Sequence, residues 1–87
     1  MNLHELKCWP EFFQAVIDEK KTFEIRRFDR SFKIGDVVRL REWDFEKRDY
    51  TGRKLDFEIS YIMAGEPAFG LAAGFCILGF QGFLSNE

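Results

Sequence analysis

Ten consecutive residues, 54–63, read K-L-D-F-E-I-S-Y-I-M. Leu55, Phe57, Ile59, Tyr61 and Met63 alternate with Asp56, Glu58 and Ser60. Successive side chains of a strand point to opposite faces, so this period of two predicts a strand with one face on a core and one in water. Residues 36–43 (D-V-V-R-L-R-E-W) predict its antiparallel partner. The charged segment between them, D-F-E-K-R-D-Y-T-G, ends in a Thr-Gly turn signal, and the pair reads as a long hairpin.

A hairpin alone cannot bury its apolar face, so the remaining segments must cover it. Residues 3–8 read as a first strand. Trp9-Pro10-Glu11 follows, with proline suited to the first helical position and glutamate to the positive end of the dipole. Phe12, Phe13, Val16 and Ile17 recur at helical spacing and predict a short amphipathic helix over 10–20. Residues 22–26 alternate again, with Phe23 and Ile25 expected inward and Thr22, Glu24 and Arg26 outward. A polar turn through Gly35 leads into the hairpin. A loop over 64–74, with room for one helical turn, leads to a last strand over 75–80 or slightly beyond, and 85–87 are expected to fray.

The order is strand, helix, strand, strand, strand, loop, strand. With 87 residues there is length for one domain spanning 1–87, and a chain of this size buries only about 60–65% of its unfolded surface. Eleven phenylalanines supply large apolar areas to that small core. Five short strands and one N-terminal helix predict a mainly β (α+β) fold: a strongly curved sheet rolled into a small barrel, which removes exposed edges, with the helix plugging one end.

Charge and special residues exclude several function classes. The net charge of −2 rules out a uniformly basic nucleic-acid binder, so any polyanion site must be local. Two cysteines without a signal peptide point to a reducing, cytoplasmic setting rather than a disulfide scaffold. His4, Cys8 and Cys76 cannot assemble a recognisable zinc site, and neither metal nor cofactor is expected. A single histidine also leaves no Ser-His-Asp or Cys-His catalytic arrangement. Residues 67–86 carry no charge, yet their four glycines and flanking glutamates favour a Gly/Ala loop and buried strand over a membrane helix.

Positive charge is concentrated in one region. Residues 19–41 carry eight basic side chains against four acidic ones, a local +4 in a chain of net −2. The densest run, 20–27, is K-K-T-F-E-I-R-R. Lys20 is expected to cap the helix end. Glu24 and Arg26, two apart on a strand, lie about 7 Å from each other on one face. Surface pairs at this spacing are common and weak, so spacing alone favours a solvated ion pair. The functional reading is a binding pair, the carboxylate accepting from a base amine or sugar hydroxyl and the guanidinium forking onto phosphate.

This stretch resembles the hallmark of the ASCH domains, a branch of the PUA-like barrels, which has the form G-x-K-x-x-E-x-R. Residues 19–26 match at Lys21, Glu24 and Arg26 and have Glu19 where the glycine stands. H-E-L-K near the start, F-K-I-G-D-V-V-R-L-R-E-W-D in the middle and T-G-R before the fourth strand extend the resemblance over most of the chain, to a narrower group of short ASCH-like proteins of bacteria and phages. The resemblance implies a PUA-like β-barrel with a basic cleft beside the first helix, taking RNA or a modified nucleotide. Lys21, Glu24 and Arg26 are the residues it carries over. Arg27, Arg30 and Arg41 add local charge, and Trp43 and Tyr50 are candidates for base stacking, Trp43 being equally suited to packing at the barrel end.

Some ASCH proteins are small hydrolases that deacylate N4-acylated cytidines, and in those the lysine is paired with a threonine and a distant glutamate. Here Glu24 stands at the threonine's position; Thr22 shares its face, and Glu58 and Glu66 are candidates for the acid by location only. That departure favours a binding module over an amidohydrolase with Lys21 as its catalytic residue. A third expectation is a phage–host protein-interaction module that docks through the aromatic hairpin loop.

Overall fold

The structure is a computed structural model that describes residues 2–86, with side chains through Gly82. Five strands and one helix follow in the order β1 (Leu3–Cys8), α1 (Pro10–Ile17), β2 (Phe23–Arg27), β3 (Val37–Asp44), β4 (Asp49–Ala64) and β5 (Phe75–Asn86). A 3-10 turn at Pro67–Phe69 interrupts the loop before β5. The strands form a single sheet in the order β1-β3-β4-β5-β2. Only the β1–β3 pair is parallel; the others are antiparallel. The sheet curls into a half-barrel, and β1 and β2, its two edges, are not hydrogen-bonded to each other as strands.

The curl comes from bulges in the long β4–β5 pair. Ser60 is an extra residue between Ile59, opposite Phe80, and Tyr61, opposite Gly79. Gly82 is an extra residue on β5, opposite the Phe57–Glu58 step, and its φ of +56° suits a residue without Cβ. Such insertions bend the strand and increase its twist. The Ser60 bulge also corrects the sequence reading: the alternation does not persist to Met63. Leu55, Phe57 and Ile59 are buried, but past the bulge the faces exchange, so Tyr61 is 63% exposed while Ile62 packs against the core.

The hairpin turn differs from its prediction too. Chain reversal occurs at residues 45–48, between Asp44 and its partner Asp49, and Thr51-Gly52 lies within β4. There Glu42 alone faces Thr51, Gly52 and Arg53, a bulge that turns Thr51 and Arg53 toward the Glu42 carboxylate. At the other end β5 runs on to Asn86, with Ser85 paired to Asp56, where fraying was expected; Glu87 lies outside the described residues.

Helix α1 packs against β3. Phe13 and Val16 are inserted into the core beside Leu40, Leu55 and Leu78. Full burial of a side chain such as Phe13 contributes about 1.5–3 kcal/mol. The helix stops at Ile17, three residues before the expected end. Glu19 has φ +59°, its N–H donates to the Val16 carbonyl, and the N–H of Lys20 donates to the Ala15 carbonyl. That is a Schellman stop with Glu19 at C′. Lys20 therefore caps the helix through its backbone, and its side chain is exposed.

Candidate functional site

Strand β2 is built in the opposite phase to the one its apolar residues suggest. Glu24 points inward, 6% exposed, whereas Phe23 and Ile25 are 41% and 53% exposed on the outer face. Glu24 is the register partner of the fully buried Leu78, so its carboxylate stands at the margin of the core. A lone buried carboxylate would be costly; this one is paired twice. Lys21 Nζ donates to Oε1 at 2.8 Å, and Arg26 Nε donates to Oε2 at 2.9 Å. Lys21 Nζ also donates to the Phe23 carbonyl at 2.6 Å. Two cations on one carboxylate leave the trio with a net charge of +1.

Arg26 has a further role. Its Nη2 donates to the Lys7 carbonyl, so a side chain bridges the two sheet edges where no ladder joins them. Along this seam runs a cleft of about 230 Å³, lined by Lys7, Cys8, Trp9, Phe12, Glu24, Ile25 and Arg26. Trp9 and Phe12 form its aromatic lip: their rings are 5.8 Å apart, nearly parallel at 19°, and both are about half exposed (51% and 42%). Phe45 from the hairpin turn meets Trp9 edge-on at 4.8 Å. Lys21 Nζ lies 5.8 Å from the Phe12 ring centre and 4.9 Å from that of Phe23. At the inner wall sits Cys8, 2% exposed, its thiol pushed up to about 12 by burial and then by the negative charge of Glu24. It is a packing residue, not a nucleophile.

A smaller hollow, about 120 Å³, is lined by Lys21 with Val16, Glu19, Thr22, Phe57 and Phe80; Lys21 does not line the seam cleft and reaches it only through its ion pair with Glu24. Glu24 does not line it, so the seam cleft is the better site. Thr22 faces this hollow rather than the Glu24 carboxylate.

Lys21, Glu24 and Arg26 thus converge; the other candidates lie elsewhere. Arg27 is exposed on the outer face over the Phe75 ring, at 5.1 Å, and Arg30 pairs loosely with Asp29 at 3.5 Å over Phe32. Arg41, Trp43 and Tyr50 are together, but on the outer face of β3 and β4. The Arg41 guanidinium sits 3.7 Å above Tyr50, whose ring meets Trp43 edge-on at 5.0 Å. Trp43 has Lys7 Nζ 3.9 Å above its ring. Glu58 accepts from Gln81 and Glu66 is exposed in the loop, so neither joins the trio.

Sequence reasoning missed the cleft's other wall. The signal was present in W-P-E-F-F: Phe12 and Phe13 cannot both face the core of a narrow helix, and Phe12 is the one left over. It also missed two structural carboxylates. Glu42, 7% exposed, accepts from Thr51 Oγ1 at 2.7 Å and from Arg53 Nε at 3.0 Å, and Arg53 holds its carboxyl below the ordinary value. Arg53 reaches on to Gln14 Oε1 at 3.3 Å, tying β4 to α1. Asp36 accepts from His4 Nε2 at 2.8 Å and from the backbone of Asn2 and Lys33; the His4 bond, first, keeps its carboxyl below the usual range. Among the described residues no cluster of three or more His, Cys, Asp or Glu is placed to hold a metal, and no helix is long and apolar enough to cross a membrane.

The chain is similar to the "Uncharacterized 12.9 kDa protein in GpA 3'region" of Escherichia phage P2, with 36% identity over 60 residues, or 69% of this chain. It spans about half the length of that phage protein, 53%. Residues 3–80 match the model of a domain of unknown function, DUF3850. With nearly all of its described fold inside that match, the chain belongs to the DUF3850 family.

Proposed function

We propose that the chain is a binding module for RNA or a nucleotide, with the seam cleft as its site. The observation that carries this reading is the buried Glu24, clamped by Lys21 and Arg26 beneath the lip of Trp9 and Phe12. Arg26 occupies Glu24 Oε2 through both Nε and Nη2, whereas Oε1 takes only the Lys21 contact and keeps a lone pair for a base amine or a ribose hydroxyl. Lys7 and Arg26 supply positive charge for phosphate. Half-exposed aromatic faces accept a base of any identity by stacking. The resemblance of residues 19–26 to the ASCH hallmark supports the same reading, because the residues it carries over are the three that meet here.

Hydrolysis of an N-acylated nucleoside fits less well. Lys21 Nζ is committed to Glu24 and to the Phe23 carbonyl, so a substrate would have to displace one of these contacts to reach it. Titration with a mixed single-stranded RNA at low salt, followed by Trp fluorescence, tests the binding reading. Trp9→Ala is expected to weaken binding by about 1–3 kcal/mol, roughly 5- to 150-fold. Arg26→Gln weakens it and flattens its salt dependence. Absence of binding to any RNA or nucleotide pool would sink the proposal, and release of cytidine from N4-acetylcytidine by the parent chain but not by Lys21→Ala would replace it with the hydrolase.

A further inference from the structure

The outer face of β1, β3 and β4 carries a second feature that the cleft does not use. Lys7 is the register partner of Arg41, and Arg41 is the register partner of Lys54. With strands about 4.8 Å apart, three cations stand in one row roughly 10 Å long. Like charges directly opposite each other on neighbouring strands are destabilising.

The protein does little to neutralise them. Glu5, half exposed, lies 3.8 Å from Arg41 Nη1 and is shared with Arg39 at 3.7 Å. Asp56 is taken by Arg39, which donates to both its oxygens at 2.8 and 2.9 Å. Lys7 and Lys54 have no carboxylate partner among the described residues. Rings steady two of the three: Lys7 lies over Trp43 and Arg41 over Tyr50, at 3.9 and 3.7 Å. Cation–π contacts orient a cation while leaving its charge in place. Two members of the row are therefore held in position and the row as a whole is under-compensated, which suits a surface for an anion.

Its location gives the anion a class. Lys7, the end of the row, is also a wall of the cleft, and its carbonyl takes the Arg26 hydrogen bond. Cleft and row therefore share Lys7 at the β1 edge. We infer that the ligand is a polynucleotide and not a free nucleotide: the cleft seats one nucleotide, and the row Lys7–Arg41–Lys54 takes the phosphates of the chain that continues from it. The inference rests on the cleft being a nucleotide site.

The test compares the four free nucleoside monophosphates with a mixed-sequence single-stranded RNA octamer, each titrated over a range of salt. The parent chain is expected to bind the octamer at least about tenfold more tightly than any monophosphate, since added phosphate contacts dominate affinity at low salt. Arg41→Gln with Lys54→Gln should remove most of that gain. It should also reduce the slope of log K against log salt by about 1.4, from roughly 0.7 per lost contact. Monophosphate affinity should be unchanged by the double variant. Lys54→Gln alone, which touches no ring, should take half of the slope change and guards against any loss of Tyr50 packing. A DNA octamer that binds equally well supports the same row, read through phosphate alone. Equal affinity for octamer and monophosphate, or an unchanged slope in the double variant, overturns this inference and leaves the cleft reading intact. Binding of neither overturns both.

Discussion

Glu19 holds a backbone conformation that glycine adopts without strain. Its φ of +59° is imposed by the stop of α1, where its own N–H and that of Lys20 cap the carbonyls of Val16 and Ala15. The glycine at this place in the motif that residues 19–26 resemble thus has a plain physical reading as a C′ residue. Glu19→Gly is expected to stabilise the chain by about 0.5–1 kcal/mol, seen as a higher urea midpoint with an unchanged m-value. Five residues on, Glu24 shows what a residue-level reading reaches and where it stops. Its pairing with Arg26 was legible from spacing and Lys21 from the motif resemblance, but its burial was not. Only the tertiary fold brings Leu78 and the Lys7 carbonyl beside it.

Among the elements, periodicity was a sound guide to existence and a poor one to facing. In β2 the period of two is correct, yet the charged residues take the inner face because Lys21 and Arg26 satisfy Glu24 there. Hydrophobicity alone would have set the phase the other way. In β4 the phase was right for Leu55, Phe57 and Ile59 and then reversed at Ser60, since nothing local announces a bulge whose cause is the curvature of the sheet. The Thr-Gly signal failed for the same reason: Gly52 serves a bulge opposite Glu42, and the chain turns at 45–48 instead. The loop after β4 depends on a close approach. A Cβ on Gly65 would lie 2.7 Å from the Ala72 carbonyl oxygen and 2.9 Å from Ala73 Cα. Both are backbone atoms that cannot swing aside, so Gly65→Ala is expected to cost on the order of 1–3 kcal/mol in urea unfolding.

For the molecule as a whole, the inward-facing carboxylates decide the response to acid. Asp36 and Glu42 both ionise more readily in the folded chain than their ordinary values of 3.8 and 4.5. Hydrogen bonds from His4 and from Arg53 are the respective first causes. An unfolded chain therefore takes up protons that the folded chain refuses. The stabilisation is complete above the unfolded carboxylate range and drains away as pH falls through it toward the lower folded values. A melting temperature that drops steeply below about pH 4.5 is expected. Asp36→Asn combined with Glu42→Gln should start lower at neutral pH and show a shallower acid limb; an unchanged limb would remove these groups as its cause. The sheet order has a different kind of consequence. The cleft belongs to β1, α1 and β2; β1 pairs with β3 and β2 with β5, and the two strands are not paired with each other. On a ribosome those residues emerge before β3 and β5, yet β1 has no ladder until β3 exists and β2 none until Phe75–Gly79 arrive. The long-range closures come after the local β3–β4 hairpin. A chain cut short before its last strand carries every residue of the site and cannot assemble it.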